Sequence, residues 1–128
     1  MTLLFEEETR KILGAAIEVH RHLGPGLLES VYQSCLAREF ELRKIPFIQQ
    51  KDLPVIYKDL NLDQKLRLDF IVYDKIIVEL KAVDALLPIH EAQLLTYLKL
   101  TGCKVGMLLN FNSEKLMDGY KRRILTID

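Results

Sequence analysis

The chain has no tryptophan, two cysteines, four prolines and no excess of charge of either sign, with 18 Lys and Arg against 18 Asp and Glu in 128 residues. Each shortage excludes something. Balanced charge provides no global positive field to hold a polyanion or an anionic membrane non-specifically, so any phosphate-binding surface must be local. Cys35 and Cys103 have neither Cys-x-x-Cys spacing nor a histidine pair arranged as zinc ligands; reduced structural thiols are expected, and a disulfide between them has no support. There is no long uninterrupted apolar run of the kind that spans a bilayer. The first residues, MTLLFEEETRK, carry acids where a secretory signal has a basic flank. A soluble, cytoplasmic protein without membrane association is expected. With no repeat, low-complexity tract or linker, residues 1–128 read as one domain, long enough to enclose its own core.

What is present centres on residues 66–81, LRLDFIVYDKIIVELK. Two runs rich in Ile, Val, Leu and Phe meet at Tyr73-Asp74-Lys75, as in a β-hairpin. Side chains of a strand alternate between faces, and directly opposed residues of an antiparallel pair share a face. Even positions are apolar on both runs, so the expected register sets Val72 opposite Ile76, Phe70 opposite Val78 and Leu68 opposite Leu80. The odd face then sets Ile71 against Ile77, Asp69 against Glu79 and Arg67 against Lys81. Two carboxylates and a lysine land together inside an apolar sheet, where charge is costly unless paired, hydrogen-bonded or bound to a metal. This register requires an odd-length loop or a bulge, since a two-residue turn sends Asp69 and Glu79 to opposite faces.

In chain order, residues 4–23 place Ile12, Leu13, Ala16, Ile17, Val19 and Leu23 at helical spacing, with Glu6, Glu7 and Glu8 at the positive end of the helix dipole. Gly24-Pro25-Gly26 ends that helix. A second helix is expected over 28–44 with Val31, Cys35, Leu36, Phe40 and Leu42 inward, then two short strands over 47–50 and 53–58, and a turn at 61–64. Beyond the hairpin, Pro88 opens a helix through Thr101 with Ile89, Ala92, Leu95 and Leu98 inward, closed by Gly102. Residues 104–111 read as a buried strand. Ser113 caps an expected last helix over 114–125, with Leu116, Met117, Tyr120 and Ile124 inward. The passage from the second hairpin strand through the helix to the last strand is a crossover, so those two strands should be parallel in a mixed α/β sheet with helices on both faces.

The ordered motifs resemble a known family. Gly26-Leu27-Leu28-Glu29-Ser30-Val31-Tyr32 fits GxxExxY, and Asp69, Glu79-Leu80-Lys81, Gln93 to Tyr97 and Asn110-Phe111 follow it in sequence. The chain resembles the GxxExxY family of small prokaryotic proteins, within the PD-(D/E)xK nuclease superfamily, over nearly its whole length. The resemblance implies a restriction-endonuclease-like core (αβββαβ) and Mg²⁺- or Mn²⁺-dependent cleavage of DNA or RNA. It implies Asp69, Glu79 and the Leu80 backbone carbonyl as metal ligands, Glu29 as a further ligand, Lys81 as the group that activates water, and Gln93 at the border of the site. Tyr32, Tyr97 and Arg67 would support them, and a homodimer is expected by analogy. Leu68 stands where the superfamily has its leading proline.

Other readings of the same residues stand beside these. Asp69, Glu79 and Lys81 also fit a satisfied charge cluster at a sheet edge, although two facing carboxylates repel unless a cation or proton is shared. From spacing alone Glu29 is a first-turn acid on a helix dipole, and Tyr32 a packed core tyrosine. His20 and His22, two apart on a helix, point in different directions and read as surface or cap residues; His90 reads as a surface histidine. Arg38, Arg43, Lys44 and Lys121-Arg122-Arg123 read as solvated basic faces or phosphate contacts. A non-catalytic nucleic-acid-binding or protein-interaction module, and an enzyme for a small phosphorylated molecule, are the alternatives to a nuclease.

Overall fold

The computed structural model describes residues 4–126. Helix α1 (Glu6–Leu23) starts on three acids and stops at Gly24, and helix α2 (Glu29–Leu42) follows the Gly-Pro-Gly turn. Gly24 and Gly26 have φ of 72° and 97°, dihedrals that need no Cβ, and this lets the chain reverse in so few residues. Strands β1 (Phe47–Tyr57), β2 (Leu60–Val72) and β3 (Ile76–Lys81), helix α3 (Pro88–Thr101), strand β4 (Val105–Asn110), a 3₁₀ turn (Leu116–Gly119) and strand β5 (Tyr120–Ile124) complete the order.

The five strands form one mixed sheet in the order β1-β2-β3-β4-β5. β3 and β4 are parallel, as the crossover through α3 requires, and the other neighbours are antiparallel. Helices cover both faces. The larger core packs Ile12, Ala16, Tyr32, Leu36 and Phe40 of α1 and α2 against Phe70, Val78, Leu80 and Met107. The smaller one packs Leu94, Tyr97 and Leu98 of α3 over Leu68, Ile77 and Leu108. Burial of this kind is the main favourable term in folding. Cys35 and Cys103 are free thiols, and no described helix is long and apolar enough to cross a membrane.

Several expectations are corrected. The two short strands are a single strand β1, and residues 61–64 lie inside β2; the reversal is a two-residue turn, Lys58-Asp59, with Lys58 at φ 55°. Main-chain pairing carries this ribbon, and Asp52, Lys58, Asp63 and Lys65 are solvent-exposed, so no core imposes alternation there. The last helix is replaced by the 3₁₀ turn and β5, Ser113 does not cap it, and Met117 and Ile124 are exposed. A Cβ on Gly119 would lie 2.5 Å from the Asn110 carbonyl oxygen, so the chain passes too close to β4 to coil outward, and it pairs with the β4 edge instead. In α2, Val31 and Leu42 are exposed while Tyr32 and Gln33 are buried; in α3, Ile89 and Ala92 are exposed and Leu94 and Tyr97 are buried. His20 is buried, with Nε2 2.8 Å from the Ser113 carbonyl oxygen, rather than at the surface.

Candidate active site

The site grows from the β2–β3 hairpin. Its loop has three residues, Tyr73, Asp74 and Lys75, the first two left-handed with φ of 55° and 62°. An odd loop keeps the expected register, and Val72 faces Ile76, Ile71 faces Ile77 and Phe70 faces Val78. There the ladder stops. The expected ladder pairs of Asp69 with Glu79, Leu68 with Leu80 and Arg67 with Lys81 are absent: Asp69 meets Glu79 through its side chain, Leu68 packs into the α3 core, Leu80 into the α1/α2 core, and Arg67 is an exposed partner of Asp52 at 3.1 Å. On the other side of β2 the β1 ladder also skips one position, so that Gln50, at φ 54°, does not pair with Asp69. Both neighbours of β2 therefore part from it at Asp69, a local break of the kind that re-aims a side chain.

Carboxylates fill the break. The Asp69 peptide N–H donates to Glu79 Oε2 (2.7 Å), and the Leu80 N–H donates to Asp69 Oδ2 (2.8 Å). Gln33 Nε2 donates to Asp69 Oδ1 (3.1 Å). Glu79 is 5% exposed, and burial, followed by the charge of Asp69, pushes its carboxyl up to about 8. Burial also raises Asp69, opposed by the Leu80 N–H, Lys81 and Gln33. Glu29, the first residue of α2, is raised by burial and by Asp69 and lowered by Lys81, which puts it within electrostatic reach of both.

Helix α3 supplies the opposite wall. Lys81 Nζ donates to Gln93 Oε1 at 3.4 Å, and one turn on, buried Tyr97 has its hydroxyl pushed up by burial and by the charges of Glu79 and Asp69. Tyr32 stands back from the acids. Its hydroxyl donates to the Gly24 carbonyl (2.6 Å) and accepts from the Leu27 N–H (3.1 Å), and its ring stacks on Phe111 with centroids 4.8 Å apart. Tyr32 thus braces the turn from which Glu29 starts. His90 closes the start of α3, with Nδ1 accepting from the Leu87 N–H.

Residues the sequence reading missed also build the site. Gln33 lies four residues after Glu29, hence on the same helical face, and Gln49 and Gln50 lie on β1 beside Asp69; that spacing was the available signal. Asn110, of the Asn110-Phe111 motif already singled out, accepts through Oδ1 from the N–H groups of Val83 (3.1 Å) and Asn112 (3.2 Å), and its Nδ2 donates to the Val83 carbonyl (2.9 Å). Asn112 Oδ1 accepts from the Gly26 N–H (3.0 Å). These bonds tie the chain leaving Lys81 to β4 and to the turn before Glu29. Four of the arginines named above have partners: Arg43 pairs with Glu39 and Glu18, Arg38 with Glu41, Arg123 with Glu91, and Arg122 donates to the Leu4 carbonyl.

The donor set suits a hard divalent cation. Among the described residues no three His, Cys, Asp or Glu side chains form a ready-made cage. Mg²⁺, however, is commonly held by one or two carboxylates with water and substrate oxygens completing the shell. Asp69 and Glu79 offer two such carboxylates; burial first and the charge of Asp69 second raise Glu79, and a bound cation would offset both by favouring the ionised form.

No curated protein and no solved structure matches the chain. A family model does, over residues 6–123, and the chain belongs to the PD-(D/E)XK nuclease superfamily.

Proposed function

We propose that this protein is a divalent-cation-dependent phosphodiesterase that hydrolyses DNA or RNA. One observation supports this above the others: in a break of the sheet the Asp69 and Glu79 carboxylates each accept an N–H from the other's strand, with Lys81 two residues beyond Glu79, bonded to Gln93. Asp69, Glu79 and the Leu80 carbonyl would hold Mg²⁺ or Mn²⁺, with Glu29, at the start of α2, as a further carboxylate within electrostatic reach. The cation supplies Lewis-acid stabilisation of charge on the phosphate. Lys81, steadied by Gln93, orients the attacking water and offsets phosphate charge. Hydrolysis joins the water oxygen to phosphorus and breaks the bond to the leaving oxygen, which takes up a proton. Tyr97 lines the α3 side of the acids, and Tyr32 holds the turn that delivers Glu29. Arg67, paired with Asp52, belongs to the outer rim. A homodimer is the oligomeric state carried over from the family resemblance alone, and light scattering reads it.

Purified protein incubated with single- and double-stranded DNA and RNA and Mg²⁺ or Mn²⁺ tests the proposal. Metal-dependent cleavage lost in Asp69→Ala is the expected result; cleavage undiminished in that variant assigns the activity to a contaminant. The engaged carboxylate oxygens and the engaged arginines favour a second reading, a binding module that retains the fold without catalysis. Wild-type protein that binds neither Mg²⁺ nor Mn²⁺ in calorimetric titration would select it.

A further inference from the structure

Gln49 and Gln50 converge on Gln33, and Gln33 alone of the three reaches Asp69. Gln33 is 8% exposed, and its Oε1 accepts from Gln49 Nε2 (3.1 Å) and from Gln50 Nε2, while its own Nε2 donates to Asp69 Oδ1 (3.1 Å). A glutamine amide is nearly symmetric in shape, so its orientation follows from its partners. Two amide donors on the oxygen leave the nitrogen to face the carboxylate. The arrangement depends on the break in β1: Gln50 is left-handed and skips its ladder position opposite Asp69, and its amide reaches Gln33.

We propose that Gln33 is a positioning residue that fixes the rotamer of Asp69 for a divalent cation, and that Gln49 and Gln50 act on Asp69 only through Gln33. The proposal rests on the metal-binding role given to Asp69 above. With Oδ1 held by Gln33 and Oδ2 by the Leu80 N–H, the carboxylate has no freedom to rotate, and each oxygen keeps a lone pair for a ligand. Partners of this kind orient metal ligands, and losing them lowers affinity by about 10- to 100-fold.

Calorimetric titration of Mn²⁺ into wild-type, Gln33→Met, Gln50→Ala and the double variant tests this, with thermal melts of the metal-free proteins alongside. Gln33→Met, of similar volume, should weaken Mn²⁺ binding by about tenfold or more while retaining a cooperative melt. Gln50→Ala, at an exposed position, should weaken it less, and should add nothing in the Gln33→Met background, because its effect passes through Gln33. A general loss of structure would instead make the two effects additive. Affinity for Gln33→Met equal to wild type overturns the role of Gln33 and leaves the metal site standing, whereas a wild type that binds no Mn²⁺ overturns both. If Gln33→Met does not fold, the Gln49→Ala/Gln50→Ala variant decides: unchanged affinity overturns the proposal, and weakened affinity supports it.

Discussion

Asp69 and Glu79 bridge β2 and β3 through their side chains where the backbone ladder ends: Glu79 Oε2 accepts the Asp69 N–H at 2.7 Å, and Asp69 Oδ2 accepts the Leu80 N–H at 2.8 Å. The same two carboxylates therefore close the sheet and concentrate negative charge in it. Structure and chemistry pull in opposite directions here, and the consequences can be measured.

The first concerns pH and stability without divalent cation. Glu79 titrates near 8 in the folded protein against 4.5 for an unperturbed glutamate, so between these values the folded state binds more protons than the unfolded one. Stability should fall as pH rises through that window, opposite to an acid held ionised. Thermal melts of metal-free protein from about pH 5 to about pH 8 should show a declining midpoint, and Glu79→Gln should flatten that decline.

A second prediction separates the causes of that shift. Burial is the larger and the charge of Asp69 the next. Asp69→Asn keeps an oxygen for the Leu80 N–H but removes the charge, so the Glu79 carboxyl should titrate lower while remaining above its unperturbed value. Carboxyl NMR titration reads it directly. An unchanged Glu79 midpoint would show that the two groups do not interact.

The hairpin was legible in the sequence because burial enforced its alternation. Phe70, Val72, Ile76 and Val78 all belong to one core, which fixed the register and the odd loop up to Phe70 and Val78; beyond that point Asp69 and Glu79 are neighbours through side-chain bonds rather than as a ladder pair. The register misled further at Leu68 and Leu80, because the break at Asp69 sends Leu68 to the opposite core and period-two reasoning assumes an unbroken strand. The β1–β2 ribbon was obscure because its burial is weak: Leu53, Val55, Leu62 and Leu66 are only half-buried, while Ile56, Tyr57 and Leu60 at its far end are exposed. β5 was mistaken for a helix because the spacing of Leu116, Met117, Tyr120 and Ile124 suits a helical face, while the close approach of Gly119 to Asn110 is a tertiary fact. Gln33 was missed because a polar helix residue looks solvated until its neighbours are known.

That close approach yields a third prediction. Gly119→Ala places a methyl 2.5 Å from the Asn110 carbonyl oxygen, a backbone atom that cannot swing aside. Overpacking of this sort costs about 1–3 kcal/mol. Denaturant unfolding should show a loss of that size, and hydrogen exchange should speed up first in β5.

Asn110 supports a fourth. It is 3% exposed and satisfies both the N–H and the carbonyl of Val83, just beyond Lys81. Asn110→Ala strips those partners, at about 1–3 kcal/mol for a buried polar group left unpaired. Asn112→Ala, which releases the exposed Gly26 N–H, should cost less, since water can replace the lost bond. Equal losses in the two variants would contradict the clamp.

The central claim is that Asp69 and Glu79 together hold a catalytic divalent cation. A crystal soaked in Mn²⁺ and measured for anomalous scattering tests it most directly. A peak bound by carboxylate oxygens of Asp69 and Glu79 and lost in Asp69→Ala is the expected result; a peak elsewhere, or none at saturating Mn²⁺, would contradict the claim.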